Sequence, residues 1–176
     1  MNWNDRKKIL ELTPRNPYQR FPDGRPRVPD NILKRMRKVT TEEAWGILEQ
    51  NNYKSQFESN WINLHPDRIL VGRAVTCRYI PKRPDLDIII QEEGEKNGRI
   101  GGQNSWAIDT LVKDDVIVVE LFGKIIWGTF TGDNLSTAIA TNTKGGGMVV
   151  DGGMRDYQRV MELPNFTGFV KGLDPT

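Results

Sequence analysis

Residues 129–157 read TFTGDNLSTAIATNTKGGGMVVDGGMRDY, and the fold turns on how this stretch is parsed. Leu135, Ala138, Ile139 and Asn142 recur on one face of a 3.6-residue period, so the pattern predicts a helix over 134–143 with Asp133 as its N-cap. Gly145, Gly146 and Gly147 end that helix in a turn. They lack the spacing of a phosphate loop and precede a strand instead of opening a helix. Met148-Val149-Val150 is too short for a helix and is bounded by glycines, which predicts a buried strand. Asp151-Gly152-Gly153 then predicts a second turn that presents Arg155 beside Asp156. Glycine at 152 and 153 would let the backbone approach a ligand closely. Gly132, Asp133, the N–H groups of Asn134 and Leu135, and the Arg155-Asp156 pair are thereby expected around one small anion.

Arginine suits a carboxylate or enolate oxygen because its fork donates two parallel hydrogen bonds and stays charged. An adjacent carboxylate can hold Mg²⁺ through one oxygen while waters and ligand oxygens complete the octahedron. Neighbouring side chains diverge, so Arg155 and Asp156 are expected to grip opposite sides of a ligand. The plain alternative is a helix start, with Asp156 as the cap and Arg155 on the surface. For Asp133 the plain alternative is the N-cap alone.

The composition bounds the remaining possibilities. The chain has 176 residues, 37% of them hydrophobic and 27% charged, which describes an ordinary globular protein with one core. No apolar run reaches the ~20 residues of a membrane span, and polar residues 4–8 break up any secretory signal. A single cysteine, Cys77, excludes an intrachain disulfide and fits a reducing compartment, so a cytoplasmic location is expected. A single histidine, His65, excludes a multi-histidine zinc site within one chain. Both read as structural. The net charge of +2 is uneven: residues 1–38 carry 11 Lys/Arg against 4 Asp/Glu, and residues 39–176 carry 14 against 19. A basic arm on an acidic body could bind nucleic acid, but it lacks a compact cationic cluster and any nucleic-acid motif. An arm lying on an acidic protein surface is the expectation.

Along the chain, residues 1–12 predict a short helix anchored by Trp3, Ile9 or Leu10, and Leu12. Five prolines between 13 and 29 predict an extended arm. A short helix follows to Lys38. Thr40 and Glu43 form a capping box, with Ala44, Ile47 and Leu48 as the buried face. Strands are predicted at 61–64, 69–80, 116–121 and 124–129. Helices are predicted at 85–96, capped by Asp85 with Leu86, Ile89 and Ile90 inward, and after Gly102, with Trp106, Ala107, Thr110 and Leu111 inward. Trp45, Trp61, Trp106 and Trp127 read as core. Alternating strands and helices give an α/β domain with a largely buried sheet.

The run Gly132-Asp133-Asn134-Leu135, the Ala-rich helix, and Val149-Val150-Asp151-Gly152-Gly153-Met154-Arg155-Asp156 resemble the 4-hydroxy-4-methyl-2-oxoglutarate aldolase family, which includes the regulator of ribonuclease E activity A. Val39 to Gly46 resembles that family's first helix, Gly72-Arg73-Ala74-Val75-Thr76 its G-x-A-x-T strand, and Asp114-Asp115-Val116-Ile117-Val118 its G-D-V-x-V strand with Asp114 for the glycine. The resemblance covers roughly residues 39–170. It implies an RraA-like swivelling β/β/α single domain over 39–176 behind the arm at 1–38, without the strands that family members usually add at the C-terminal end. It also implies a trimer or hexamer with the site between subunits.

For function, the resemblance implies a lyase that breaks a C–C bond of a small 2-oxo acid to give pyruvate, by retro-aldol cleavage or oxaloacetate decarboxylation. Asp156 would hold Mg²⁺ or Mn²⁺, Arg155 would bind substrate and share developing charge, and Asp133 would order the water that returns a proton. Gly132, Asn134 and Leu135 would line the substrate. The family carries an acidic residue three positions after the Asp of the Arg-Asp pair; here Arg159 stands there. The alternative is a non-catalytic regulator on the same scaffold, such as a ribonuclease E inhibitor. No S-adenosylmethionine-binding loop is recognisable.

Overall fold

The computed structural model describes residues 5–176, which divide into two compact units, the second beginning at Val39. Trp3, an expected anchor, lies outside the described residues. In the first unit α1 (Arg6–Leu12) starts at Asp5, whose carboxylate accepts from the Lys7 and Lys8 amides. The proline-rich arm holds no regular element beyond an Arg20–Pro26 bridge. Its cations are engaged locally: Arg20 Nη1 donates to Thr13 Oγ1 and to the Gly24 carbonyl, both at 2.8 Å, and Arg25 Nε pairs with Asp23 at 2.7 Å. α2 (Asp30–Met36) follows Pro29 and buries Leu33.

The second unit is an α/β domain on a five-stranded sheet. Its strands are β1 (Ile62–Asn63), β2 (Arg73–Arg78), β3 (Asp115–Thr131), β4 (Gly147–Met154) and β5 (Thr167–Leu173), in spatial order β1-β5-β4-β3-β2. β2 to β5 run parallel and β1 is antiparallel to β5. Parallel neighbours need crossovers. These are supplied by α4 (Pro84–Lys96) with α5 (Gln103–Ile108), by α6 (Asp133–Thr143), and by α7 (Tyr157–Met161). α3 (Thr41–Gln50) precedes the sheet, and its Thr40/Glu43 capping box forms as expected.

The core lies where helices cover the sheet. Ile117 and Val119 of β3, Met148, Val150 and Met154 of β4, and Val170 of β5 meet Ile108, Ile139 and Val160 of α5, α6 and α7. Burying one such side chain completely stabilises the fold by roughly 1.5–3 kcal/mol. Ile139 therefore ties the helix of the opening stretch to the two strands beside it.

Several sequence expectations are corrected. α3 buries no residue, and Ile47 is exposed. Ile89 is exposed, and α4 opens with Pro84 at its first turn instead of an Asp85 cap, because proline lacks only an N–H that the first turn would leave unpaired. The 69–80 strand shrinks to β2. The two strands expected at 116–129 are one strand, β3, broken by positive φ at Phe122, Gly123 and Trp127. Among the tryptophans Trp106 is core, whereas Trp45 and Trp127 are exposed, Trp127 by 77%.

β4 also runs on through Asp151, Gly152 and Gly153 to Met154, so the expected turn there does not exist. The glycines have another reason. Between Glu120 and Thr131 β3 bulges out in an excursion that meets its neighbour only where Lys124 pairs with Gly152 and Thr129 with Gly153, while β4 advances only from Asp151 to Met154. The excursion folds over β4: a Cβ on Gly152 would lie 2.6 Å from Leu121 Cδ1, and one on Gly153 would lie 2.9 Å from the Ile125 carbonyl oxygen. The close approach is made by the chain itself.

Candidate functional site

The site forms where β3 ends and α6 begins, facing the end of β4. Gly132 is the N-cap of α6 and Asp133 its first residue, so the cap lies one position earlier than expected. Asp133 nonetheless caps locally, since its Oδ1 accepts from the Asn134 amide at 2.8 Å. That amide is therefore engaged by Asp133, not open to a ligand as expected. Beneath the turn, the buried Thr131 Oγ1 donates to the Gly132 carbonyl at 2.9 Å and lies 3.2 Å from Ser136 Oγ, which fixes the strand-to-helix corner from inside.

From the other side comes the Arg155-Asp156 corner. The Arg155 amide donates to the Thr131 carbonyl at 3.1 Å, tying the end of β4 to the end of β3. Asp156 adopts left-handed backbone angles (φ 57°, ψ 33°), a region that Asp tolerates better than most residues. This bends the chain so that neighbouring side chains converge: Arg155 Nε lies 3.5 Å from Asp156 Oδ2. The expected divergence holds for extended backbone only. Asp156 precedes α7 as its N-cap but makes no side-chain cap bond there; its Oδ2 accepts from the Asp133 amide at 3.2 Å. Gly132 is required between the two corners, because a Cβ there would collide with Asp156 Oδ2 and stand 3.1 Å from Arg155 Cγ and Nε.

Gly132, Asp133, Asn134, Leu135, Arg155 and Asp156 thus line one cavity of about 300 Å³. Sequence reasoning missed Asn104, Trp127 and Thr129 on its wall. Asn104 Nδ2 donates to the Phe130 carbonyl at 2.8 Å, which fastens the start of α5 to the site strand. Its position after two glycines marked a turn but no ligand role. Arg159 stands outside that lining, with Nη1 3.4 Å from Asp133 Oδ2.

Among the described residues no three His, Cys, Asp or Glu side chains cluster to form a metal cage. The donor set suits an ion that keeps most of its waters and binds through one or two carboxylates, as Mg²⁺ does. Asp156, part-exposed on the cavity wall and held from behind by the Asp133 amide, has that character.

Cys77 and His65 stand apart from this chemistry. Burial pushes the Cys77 thiol up to about 11, so it stays protonated at neutral pH. His65 is buried against Phe166, its Nε2 3.2 Å from the Met161 carbonyl oxygen. Burial, with the nearby Arg68 guanidinium, lowers its pKa.

The family model for RraA-like proteins, described as Aldolase/RraA, matches residues 32–176. The chain belongs to the RraA-like family. No curated protein matches it. Among solved structures it is similar to Streptomyces coelicolor RraAS2, described as an unusual member of the RNase ES inhibitor RraA protein family. The identity is 26% and the TM-score 0.67, over 85% of this chain and 67% of that one. An uncharacterized Pseudomonas syringae pv. tomato protein aligns with 20% identity and a TM-score of 0.61, over 91% of this chain and 62% of that one. A Geobacillus kaustophilus protein named as an S-adenosylmethionine:2-dimethylmenaquinone methyltransferase aligns with 17% identity and a TM-score of 0.52, over 76% of this chain and 70% of that one. The last two likenesses bear on the fold alone. Membership in the RraA-like family agrees with the resemblance read from the sequence, and no helix of the described residues is long and apolar enough to cross a membrane.

Proposed function

We propose that this RraA-like protein is a divalent-metal-dependent lyase that cleaves a C–C bond of a small 2-oxo acid to give pyruvate. The supporting observation is the pinch at Gly132, which brings Asp133, Arg155 and Asp156 onto one cavity wall from segments more than twenty residues apart. Asp156 would hold Mg²⁺ or Mn²⁺, which supplies Lewis-acid polarisation of the substrate's carboxylate and keto oxygens. Arg155 aims a guanidinium along the same wall, where it can bind the carboxylate and share negative charge developing on the keto oxygen. In the retro-aldol reaction the bond between C3 and C4 breaks and its electron pair moves toward the keto group. The C4 hydroxyl proton passes to a water beside Asp133 as the second carbonyl forms. Asp133 positions a water that returns a proton to C3, completing pyruvate. In oxaloacetate the same bond breaks with loss of CO₂, and the same proton return follows.

The test is pyruvate release from oxaloacetate and from 4-hydroxy-4-methyl-2-oxoglutarate, with Mg²⁺ or with EDTA, beside Arg155→Ala. Metal-dependent turnover that falls at least about 100-fold in the variant supports the reading. No turnover in the assembled protein overturns it.

A second reading, a non-catalytic regulator of a ribonuclease, is favoured by the likeness to RraAS2. It requires no turnover and no effect of Arg155→Ala on partner binding. Under either reading we propose a homo-oligomer of three or six chains, supported by the exposed Phe122, Ile126 and Trp127 on the β3 excursion. Light scattering coupled to size exclusion measures that number.

A further inference from the structure

We infer that Trp127 contacts the ligand, and that its indole gives the cavity a preference for 2-oxo acids carrying a flat apolar group beyond the reacting end. The inference rests on the 2-oxo acid reading above. Trp127 stands on the part of the cavity wall that the β3 excursion contributes, and the same cavity reaches Arg155 and Asp156. Most of its surface is open to solvent.

The backbone at this position does not favour a tryptophan. Its φ is left-handed (57°), a region that glycine, asparagine and aspartate enter at little cost and a bulky aromatic residue does not. The turn is closed tightly, since a Cβ on Gly128 would collide with the Lys124 carbonyl oxygen. It is also fastened. The Trp127 amide donates to Thr176 Oγ1 and Thr129 Oγ1 donates to the Asp174 carbonyl, both at 3.3 Å, while the Asp174 amide donates to the Met154 carbonyl at 3.0 Å. These bonds hold the turn beside the end of β4, next to Arg155, and none of them uses the indole. Among the described residues the ring has no hydrogen bond or ring contact of its own. A tryptophan here strains its turn and buries little, so its use does not lie in the fold. Phe122 and Ile126, also exposed on the excursion, are absent from the cavity lining, which sets Trp127 apart from them.

The cavity thus has two characters. Arg155 offers a fork to a carboxylate, and Trp127 with Leu135 offers an apolar surface. At about 300 Å³ the cavity is at the lower end of small-molecule sites, so a ligand held by Arg155 lies within reach of the indole. A flat ring there gains burial and an aromatic contact, which a short alkyl chain does not.

The experiment is titration calorimetry in Mg²⁺ with 2-oxo-4-phenylbutanoate and 2-oxobutanoate. The two share one reacting end, and neither carries the 4-hydroxyl or β-carboxylate that cleavage needs. Wild-type protein is expected to bind the phenyl ligand about ten-fold more tightly. Trp127→Asn suits the left-handed turn and so keeps the fold. It should remove most of that ratio while leaving 2-oxobutanoate binding unchanged, and Trp127→Phe should keep part of it. A ratio that survives in Trp127→Asn overturns the inference, as does equal binding of both ligands by wild type; in the latter case the 2-oxo acid site itself stands. A Trp127→Asn protein that falls to a smaller assembly in light scattering assigns the indole to a contact between chains and also overturns it. If wild type binds neither ligand, the 2-oxo acid reading falls, and this inference with it.

Discussion

The Asp133 amide donates to Asp156 Oδ2 at 3.2 Å across 23 positions of sequence. One bond thus fixes two things, the first turn of α6 and the orientation of the carboxylate proposed to anchor a metal. It is possible only because residue 132 has no side chain.

Gly132→Ala places a methyl group against Asp156 and Arg155 in a corner held from beneath by Thr131 and Ser136. The corner must open, at a cost of about 1–3 kcal/mol. Urea unfolding should show that loss, and the proposed turnover should fall with it at urea-free, fully folded concentrations. Wild-type stability and activity in this variant would mean that the pinch is not needed.

Gly94→Ala tests the packing of α4 on α5. In an open helix the change would stabilise by up to ~1 kcal/mol. Here the added Cβ meets the Trp106 ring, which is fully buried. Net destabilisation of about 1–3 kcal/mol is expected, with a shift in tryptophan emission as the ring is displaced. A gain in melting temperature would contradict the packing.

His65 sets a pH dependence with a definite sign. Its folded pKa lies below the ordinary value, so the folded state favours the neutral ring. The contribution is fully present above about pH 6.5 and is lost as the pH falls, because the unfolded chain then takes up a proton that the folded one resists. The slope reaches at most about 1.4 kcal/mol per pH unit. As His65 is the only histidine, comparing stability at pH 7.5 and 5.5 in wild type and His65→Gln isolates it. Equal slopes in the two proteins would refute this origin.

Lys144 ends α6 in left-handed geometry (φ 50°, ψ 38°), where a Cβ is strained. Lys144→Gly is expected to raise stability by roughly 0.5–1 kcal/mol. Chemical denaturation reads this directly, and a clear decrease would show that the lysine side chain contributes more than its backbone strain removes.

What the sequence made legible was local. The Thr40/Glu43 box, α6 with Ile139 inward, and the strand at Met148 to Val150 all follow from spacing and propensity over a few residues. The misread features were set from a distance. Gly152 and Gly153 resemble a turn in sequence, yet they stay in β4 because Leu121 and Ile125 lie on them. Trp127 has the composition of a core residue and stands on an exposed excursion instead. At the site, the residue types could be picked out, but the convergence of Arg155 and Asp156 depends on one positive φ, which no pattern of side chains records. The approach of Arg159 to Asp133 depends on where α7 lies, beyond the bend at Asp156, and spacing along the chain does not encode it.

The departure of β3 from its ladder has a consequence for how such a protein can change. Glu120 pairs with Asp151 before the excursion and Thr131 with Met154 after it, while Lys124 and Thr129 meet Gly152 and Gly153 in between. The segment carries Trp127 to the cavity wall. A change of that one exposed side chain would reshape the cavity wall and leave the charged corner beside it untouched.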